Sequence, residues 1–326
     1  MPTSFPPSAR SPGYRLSAVN LAVGLLACVV VVGGTVAVDA QAPADPDRLT
    51  VQSDGHPIAL WARRPAQPKG TVLFVHGRTW SGRPDFDLQV PGMRRSVLQA
   101  FAAQGFAAYA VDLRGYGATP RDATNFLTPR RGAADISNVL AWIAKQHPSL
   151  PKPTLVGWSR GAAMSGMVAV ATPGLLSNLV LFGFAFDPDL AFAELDESEL
   201  KPDLAKNTRE AAASDFISPK VTPRAVIDAF VTQAMKADPI LADLKNDGEF
   251  NDFKPALLGT PTLIMFGSED PGVSAIDAGK MLARMPVTDK QIVVLPGADH
   301  AAHVEDTHDA WVAAIVNFIT RPGPRR

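Results

Sequence analysis

The chain has 326 residues, and its 31 lysines and arginines nearly balance its 32 aspartates and glutamates, for a formal net charge of −1. This balance provides no basic field for nucleic-acid binding, so we expect no nucleic-acid partner. Hydrophobic residues make up 46% of the chain and charged residues 19%, which is typical of a globular protein, and the single cysteine excludes an internal disulfide framework and a cysteine-based metal site.

The first 42 residues are predicted to be separate from the fold. Arg10 and Arg15 precede a charge-free apolar run of 23 residues, Leu16–Val38. Ala40 and Ala42 then place small residues where a signal peptidase cleaves. This pattern predicts a cleaved secretory signal and an exported protein, periplasmic or extracellular. The run is also long enough to span a bilayer, so a retained membrane anchor is the alternative, and membrane association is expected only through this segment.

Strand and helix patterns alternate along the rest of the chain. The predicted strands are residues 48–53, 58–63, 71–75, 107–111, 154–156, 179–184, 262–266 and 291–295. The predicted helices are residues 97–103, 132–147, 161–171, 276–283 and 310–319. The first two strands flank Asp54-Gly55, a hairpin signal, and several later strands are short apolar runs typical of strands buried on both faces. The alternation predicts an α/β fold with a mostly parallel sheet and helices on both faces.

Residues 186–255, here called the cap segment, break this alternation. They include 15 acidic and 8 basic residues, a net charge of −7, and their sequence favours helices. A structureless loop of this length is rare in a compact domain. We therefore expect a helical cap inserted into a core formed by residues 43–185 and 256–326. Such a cap either decorates the surface or forms a lid that shapes a substrate pocket.

Residues 157–161 read Gly-Trp-Ser-Arg-Gly, directly after a predicted strand and at the start of a predicted helix. This is the G-x-S-x-G pattern in the strand–turn–helix context that it requires. The glycines let the backbone close beneath the serine, and the turn lifts its hydroxyl above the sheet, near the positive end of the helix dipole. Ser159 is therefore the candidate nucleophile.

A nucleophilic serine needs a base, and the base needs an orienting carboxylate. His300 follows the last predicted strand, at the edge of the sheet where a loop can reach the serine, and is the candidate base. His303 is its competitor. Asp270 follows another predicted strand at the same edge and is the candidate orienting acid, with Glu269 as the alternative.

The developing negative charge on the attacked oxygen needs an oxyanion hole. We expect two backbone N–H groups to form it. One belongs to Arg160, immediately after the nucleophile, and the other to Arg78, in the loop after the predicted strand 71–75. Gly77 allows the backbone of that loop to approach closely.

The side chains around this centre leave alternatives open. Arg160 places a cation at a helix start, where the dipole disfavours it. Either it pairs with a carboxylate, for instance of the acidic cap segment, or Arg78 or Arg160 contacts an acidic or polar group of the substrate. Trp80 and Trp158 flank the reacting centre in sequence and are candidates for an apolar wall around an acyl or alcohol group. Trp158 fits a position in the core equally well.

Five motifs resemble the landmarks of the α/β-hydrolase superfamily in order and spacing, over roughly residues 48–320 apart from the cap segment. They are HG at 76–77, DLRGYG at 112–117, GWSRG at 157–161, GSED at 267–270 and PGADH at 296–300. The resemblance implies an eight-stranded sheet. It also implies that Ser159, Asp270 and His300 form a catalytic triad, in the chain order that this fold uses.

The same resemblance implies supporting roles for other residues of these motifs. His76 matches a histidine that orders its loop without taking part in the chemistry, and Asp112 and Arg114 match residues that brace loops. The chain departs from many relatives at Arg78, where a small or apolar residue usually follows the His-Gly pair.

The favoured hypothesis is a serine hydrolase that cleaves carboxylic esters through an acyl-enzyme, without a cofactor or a metal. If the protein is exported, external esters such as lipids, polymer fragments or xenobiotics are candidate substrates. The same triad acting on amide, thioester or carbon–carbon bonds is the alternative, since a fold does not determine a substrate. Ser159 argues against epoxide hydrolase or haloalkane dehalogenase activity, because relatives with those activities carry an aspartate at this position. A non-catalytic binding protein is less well supported, because such members usually lack part of the triad.

Overall fold

A mixed sheet of eight strands forms the centre of the computed structural model, which describes residues 44–218 and 220–322. Its strands are β1 (Asp47–Ser53), β2 (His56–Arg63), β3 (Gly70–Val75), β4 (Phe106–Val111), β6 (Thr154–Trp158), β7 (Asn178–Phe182), β9 (Thr262–Gly267) and β10 (Lys290–Leu295). A separate parallel pair consists of β5 (Phe126–Leu127) and β8 (Asp243–Leu244). The predicted signal or anchor, residues 1–42, lies outside the described residues.

The strand order is β1-β2-β4-β3-β6-β7-β9-β10. The β1–β2 hairpin is antiparallel and β2 also pairs with β4 antiparallel, whereas every pairing from β4 to β10 is parallel. All residues of β3, β4 and β6 are buried, as expected of apolar strands covered on both faces. The predicted eight-stranded, mostly parallel sheet with a leading hairpin is confirmed.

Eight α-helices accompany the sheet. They are α1 (Gly82–Phe86), α2 (Val97–Ala103), α3 (Pro129–Gln146), α4 (Arg160–Ala171), α5 (Arg209–Ser214), α6 (Arg224–Ala237), α7 (Ala275–Arg284) and α8 (His308–Thr320). One face of the sheet packs against α3, α4 and α7, and the other against α2, α6 and α8, so each face has its own apolar core. Within residues 44–218 and 220–322, no helix combines the length and apolar character needed to cross a membrane.

The cap segment is only partly helical. It contains α5, α6 and a 3₁₀ helix at Asp247–Asp252, but residues 183–208 form neither a helix nor a strand beyond one isolated bridge. Like charges three residues apart, Glu194 with Glu197 and Asp196 with Glu199, repel one another on a helix and explain why none forms there. The described residues from Asp45 onwards form one compact unit that includes the cap segment, and the division of this unit into core and cap stays a prediction.

Side chains of the second half of the cap segment bind the backbone of this irregular stretch. The amide of Asn251 accepts a hydrogen bond from the Phe192 N–H at 2.8 Å and donates one to the Phe192 carbonyl at 3.0 Å. The Asp243 carboxylate accepts from the Asp203 N–H at 2.7 Å. These bonds replace the helix or sheet partners that the backbone lacks, since backbone polar groups need a partner when they leave water.

The turn between β6 and α4 is packed too tightly for larger residues. A methyl group added at Gly161 would lie 2.3 Å from the carbonyl oxygen of His76 and 2.6 Å from that of Val75. One added at Gly157 would lie 2.5 Å from the Cα atom of Ala162. The start of α4 therefore lies directly against the end of β3, which brings the loop after β3 beside Ser159.

We expect the substitution Gly161→Ala to lower the free energy of unfolding by about 1–3 kcal/mol, because the new methyl group forces the β3 and α4 backbones apart. Urea denaturation measures this change. Gly279→Ala is the control: Gly279 is exposed within α7 with no atom within 4 Å of the added group, so this change should stabilise by about 0.5–1 kcal/mol. Equal effects of the two substitutions would contradict the tight packing.

Candidate active site

Ser159 lies in the sharp turn between β6 and α4, with φ 53° and ψ −121°. A non-glycine residue rarely adopts this backbone conformation, and such strain persists only where the surroundings impose it. The Ser159 N–H donates to the carbonyl of Phe182 at 2.8 Å, which ties the turn to the end of β7. The side chain is half-buried at the carboxyl edge of the sheet, as the G-x-S-x-G motif predicts.

His300 and Asp270 meet at the same edge, from the loops after β10 and β9. Nδ1 of His300 lies 2.9 Å from Oδ2 of Asp270, and the Asp270 side chain is fully buried while that of His300 is 21% exposed. The other oxygen of Asp270 accepts the N–H of Gly272 at 2.9 Å. This arrangement places the ring proton on Nδ1 and leaves Nε2 as a proton acceptor.

The two alternative residues are placed elsewhere. The Glu269 side chain is exposed and its carboxylate contacts the hydroxyl of Ser268 at 3.1 Å, not a histidine. His303 is fully buried, with its ring centroid 4.6 Å from that of Trp158 and 5.4 Å from that of Phe86. Burial lowers the pKa of His303 to about 3, so its ring is a neutral part of the core.

His76 orients the loop that contains Arg78. Its Nε2 accepts the N–H of Leu113 at 3.1 Å, so Nδ1 carries the ring proton and donates to the carbonyl of Gly77 at 3.0 Å. Burial lowers the pKa of His76 to about 4, which keeps the ring neutral. In a trans peptide the N–H points opposite to the C=O, so fixing the Gly77 carbonyl also fixes the direction of the Arg78 N–H.

Both candidate oxyanion donors flank Ser159. A methyl group added at Gly77 would lie 3.6 Å from Cβ of Ser159, so the loop touches the serine, and Arg160 follows the serine in the chain. Among the described residues, the backbone N–H groups of Arg78 and Arg160 have no hydrogen-bond partner. Two free N–H groups beside a nucleophile are what an oxyanion hole requires.

Tyr116 supports the same loop, a role that no motif of the sequence predicts. Its buried hydroxyl donates to the carbonyl of Arg78, and its ring centroid lies 4.4 Å from that of His76. The peptides on both sides of Arg78 are therefore anchored, one by His76 and the next by Tyr116.

The side chains of Arg160 and Arg78 differ in whether they form an ion pair. The Arg160 guanidinium forms two hydrogen bonds with the Asp247 carboxylate, at 2.7 and 3.0 Å, and lies 4.8 Å from the ring centroid of Phe250. This is the predicted pairing with the acidic cap segment, so Arg160 is not available to a substrate. The Arg78 side chain is exposed and forms no ion pair within the described residues.

The predicted apolar wall of Trp80 and Trp158 needs correction. Their side chains are only 1% and 4% exposed, because both pack into the apolar core on one face of the sheet. Trp158 instead supports the base, since its indole N–H donates to the backbone carbonyl of His300 at 2.9 Å. Trp80 packs edge-on against Phe230 of α6.

The sequence model of the Alpha/beta hydrolase family matches residues 72–315. The chain belongs to the alpha/beta hydrolase family. It is 25% identical over 258 residues to a monoacylglycerol lipase of Mycolicibacterium smegmatis, an alignment that covers 77% of this chain and 88% of the lipase.

Solved structures agree on the fold of this hydrolase. The thioesterase domain from the curacin biosynthetic pathway superposes with a TM-score of 0.60 at 18% identity, covering 84% of this chain and 100% of that domain. The serine hydrolase CarC of carbazole degradation gives a TM-score of 0.58 at 21% identity, covering 84% of this chain and 99% of that one. At these identities the likeness shows the fold alone.

Two aspartates hold together the loops after β3 and β4, next to the candidate active site. Asp112 accepts the N–H groups of Gly82 and Ala118, each at 2.9 Å. Asp238, which follows α6 in the cap segment, accepts the N–H groups of the neighbouring residues, Ser81 at 2.9 Å and Gly117 at 2.7 Å. Burial raises the pKa of both carboxyls, that of Asp112 to about 7. Asp112 therefore braces loops as the resemblance implied, and Asp238 is a partner that the sequence did not suggest.

Arg114 also has the bracing role that the resemblance implied. Its guanidinium forms a bidentate pair with the buried Asp135 carboxylate of α3, at 2.7 and 2.8 Å, and donates to the carbonyl of Ser53 at the end of β1. A two-point pair of this kind fixes direction as well as distance. The hairpin, the loop after β4 and helix α3 are thereby joined at one point.

A second group of buried acids holds the loop of the candidate base. Glu305 accepts the N–H groups of Asp299 at 3.0 Å and Ala301 at 3.1 Å, on either side of His300. Asp299 accepts the N–H of Ser218 from the cap segment at 2.5 Å. Burial, reinforced by the Asp299 side chain, raises the pKa of Glu305 to about 9. Glu305 is therefore protonated at neutral pH.

Asp215 is a further acid that sequence reasoning missed. It follows α5, in the cap segment, and its carboxyl group interacts electrostatically with the His300 ring. Burial raises the pKa of Asp215 to about 6, while the His300 ring and the Trp80 indole act in the opposite direction. Within the described residues, no three side chains of the ligand types His, Cys, Asp and Glu are grouped to hold a metal ion.

We expect Tyr116→Phe to lower kcat about tenfold with little change in KM, because the Arg78 peptide loses an anchor while the binding surface is unchanged. Tyr109→Phe is the matched control. It removes a buried hydroxyl that bonds His147 at 2.7 Å and touches no loop of the active site. Steady-state kinetics of both variants measure the difference. A Tyr116→Phe enzyme no slower than the Tyr109→Phe enzyme would refute the anchoring role.

We also expect Glu305 to make stability depend on pH. Its pKa is raised to about 9 from 4.5, so it stays protonated in the fold while the unfolded chain ionises above pH 4.5. Its contribution is complete below pH 4.5 and is lost as pH rises towards 9, by up to about 1.4 kcal/mol per pH unit. Glu305→Gln should flatten the decline in unfolding free energy between pH 5.5 and 8.

Urea denaturation at several pH values tests this expectation. Glu269→Gln is the control, since Glu269 is an exposed acid at the same edge of the sheet. Parallel stability profiles for the wild type and the Glu305→Gln variant would show that Glu305 ionises normally in the fold.

Proposed function

We propose that this hydrolase cleaves carboxylic esters, with Ser159 as the nucleophile, His300 as the general base and Asp270 as the residue that orients it. The observation that carries the proposal is the 2.9 Å hydrogen bond between Nδ1 of His300 and the buried carboxylate of Asp270, at the sheet edge that also presents the strained Ser159. These are the parts that nucleophilic acyl transfer needs.

In the first half of the reaction, the Ser159 hydroxyl attacks the ester carbonyl and Nε2 of His300 takes its proton. Asp270 stabilises the positive charge that forms on the imidazole ring. The carbonyl oxygen becomes an oxyanion and receives hydrogen bonds from the N–H groups of Arg78 and Arg160. His300 then gives its proton to the departing alcohol, and the acyl group stays bonded to Ser159.

In the second half, water replaces the alcohol. His300 takes a proton from the water, the resulting hydroxide attacks the acyl-enzyme carbonyl, and the same two N–H groups hold the second oxyanion. Proton return to Ser159 releases the carboxylic acid and restores the enzyme. Each step uses only groups of this chain and water, so the proposal requires no cofactor and no metal.

The relative identified as a monoacylglycerol lipase suggests the substrate class. We propose acyl esters of a small polar alcohol, such as monoacylglycerols, or related lipid-like or polymer-derived esters. We also propose that the protein is exported, on the sequence of residues 1–42 alone. Their apolar run, followed by small residues at a cleavage site, is typical of a secretory signal.

The test is hydrolysis of p-nitrophenyl esters and of a monoacylglycerol by the purified full-length protein. We expect turnover by the wild type and a loss of about 10⁶-fold in kcat for Ser159→Ala. Ser137→Ala is the control, because Ser137 lies half-buried on α3 and its hydroxyl bonds the Ala133 carbonyl and Thr172, which belong to no loop of the candidate active site. It should retain full activity.

A fluorophosphonate probe separates the other outcomes. Labelling of Ser159 without hydrolysis of any ester would overturn the ester proposal and favour the amide, thioester or carbon–carbon alternatives. If the probe does not label Ser159 and no ester is hydrolysed, the assignment of Ser159 as a nucleophile is overturned.

A further inference from the structure

A carboxyl group of the cap segment lies beside the candidate base. Asp215 follows α5, and its half-buried side chain interacts electrostatically with the His300 ring. Three residues further along the chain, the N–H of Ser218 donates to the Asp299 carboxylate at 2.5 Å, and Asp299 directly precedes His300. This part of the cap segment is thus bonded to the loop that contains the base.

Aromatic packing holds Asp215 in this place. The next residue, Phe216, is buried, and its ring packs edge-on against that of Phe230 in α6, with the centroids 5.2 Å apart. Phe230 packs in turn against Trp80, with the centroids 6.2 Å apart. The indole N–H of Trp80 faces the Asp215 carboxyl and favours its ionised form. Side chains of the apolar core therefore fix the position of Asp215.

The Asp215 carboxyl lacks a protein partner that compensates its burial. Within residues 44–218 and 220–322, it forms no ion pair and accepts no hydrogen bond from a backbone N–H. Burial disfavours its charge and raises its pKa to about 6. Removing a carboxylate from water in this way costs free energy. Such a group is expected where a ligand supplies the missing hydrogen-bond donor.

The proposed mechanism places the alcohol part of the ester near this carboxyl. His300 gives its proton to the departing alcohol, so the alcohol oxygen lies next to the imidazole ring. The carbonyl oxygen lies instead at the N–H groups of Arg78 and Arg160. A carboxyl beside His300 is therefore close to the atoms that follow the alcohol oxygen.

Charge selects the kind of group that Asp215 can bind. An anionic group would be repelled by the carboxylate. A cationic group would be repelled by the imidazolium that forms on His300 during the reaction. An uncharged hydroxyl group can donate a hydrogen bond to the carboxylate and meets neither repulsion. The position beside the base therefore favours a hydroxyl group.

We propose that Asp215 accepts a hydrogen bond from a free hydroxyl group of the alcohol part of the substrate, so that the enzyme selects esters of polyols over esters of simple alcohols. The inference rests on the proposed ester hydrolysis and assigns its alcohol selectivity to a residue of the cap segment. A hydrogen bond from a hydroxyl to a carboxylate raises kcat/KM for the polyol ester by about tenfold or more.

The experiment compares two esters that differ only in free hydroxyl groups, monooctanoylglycerol and propyl octanoate. The full-length wild type is assayed beside Asp215→Ala, which removes the carboxyl, and Asp215→Asn, which keeps an uncharged acceptor. Glu210→Ala is the matched control, because Glu210 is an exposed acid of α5, the helix that Asp215 follows.

We expect the wild type to hydrolyse monooctanoylglycerol with a kcat/KM about tenfold or more above that for propyl octanoate. The ratio of the two values should fall about tenfold in Asp215→Ala and about fivefold in Asp215→Asn, since a charged acceptor forms the stronger bond. Glu210→Ala should keep the wild-type ratio. Labelling of Ser159 by the fluorophosphonate probe identifies the folded variants, and if one Asp215 variant does not fold, the other decides.

Other results would overturn the inference in distinguishable ways. Unchanged kcat/KM for both esters in the folded Asp215 variants would show that the hydroxyl groups bind elsewhere. An equal fall for both esters would show that Asp215 supports His300 without binding the substrate. Faster hydrolysis of octanoylcholine than of monooctanoylglycerol by the wild type would show that the carboxyl binds a cationic group. If the wild type hydrolyses none of these esters, the proposed function itself is overturned.

Discussion

Two buried carboxylates hold the loops on which the candidate oxyanion site depends. Asp112 and Asp238 accept hydrogen bonds from consecutive backbone N–H groups of the same two loops, those after β3 and β4. Asp112 follows β4, whereas Asp238 follows α6 in the cap segment. The two loops are therefore held both by a residue of the predicted core and by a residue of the cap segment. Removal of either acid leaves backbone N–H groups of these loops without acceptors, and the loss is most costly at Ser81 and Gly82, which are buried.

Two groups in the frame around Ser159 and His300, His76 and Glu305, are neutral at pH 7. Burial keeps His76 unprotonated and Glu305 protonated, yet each still makes two hydrogen bonds that orient a loop. A positive charge on His76 would repel the imidazolium that the proposed mechanism forms on His300. Neutral supports give rigidity without that repulsion, and Asp270 remains the buried partner that pairs directly with the ring.

The sequence predicts the sheet and the triad candidates well because their signals are local. Apolar runs identify β3 and β4, and G-x-S-x-G identifies the turn at Ser159. Asp238 could not be predicted in the same way: it bonds Ser81 from 157 positions away, and an aspartate after a helix usually faces water. The burial of Trp80 could not be predicted, because a tryptophan near a catalytic motif is equally compatible with lining a pocket and with packing in the core. The stretch 183–208 has no periodicity from which a structure could be predicted.

The irregular stretch 183–208 can change in length without altering the sheet. Its backbone is held by individual side chains such as Asn251 and Asp243, not by a strand register or a helical repeat. An insertion or deletion there shifts no strand and breaks no helix, so the catalytic edge of the sheet keeps its geometry. The part of the surface that this stretch forms can therefore change in length and shape while the carboxyl edge of the sheet stays the same.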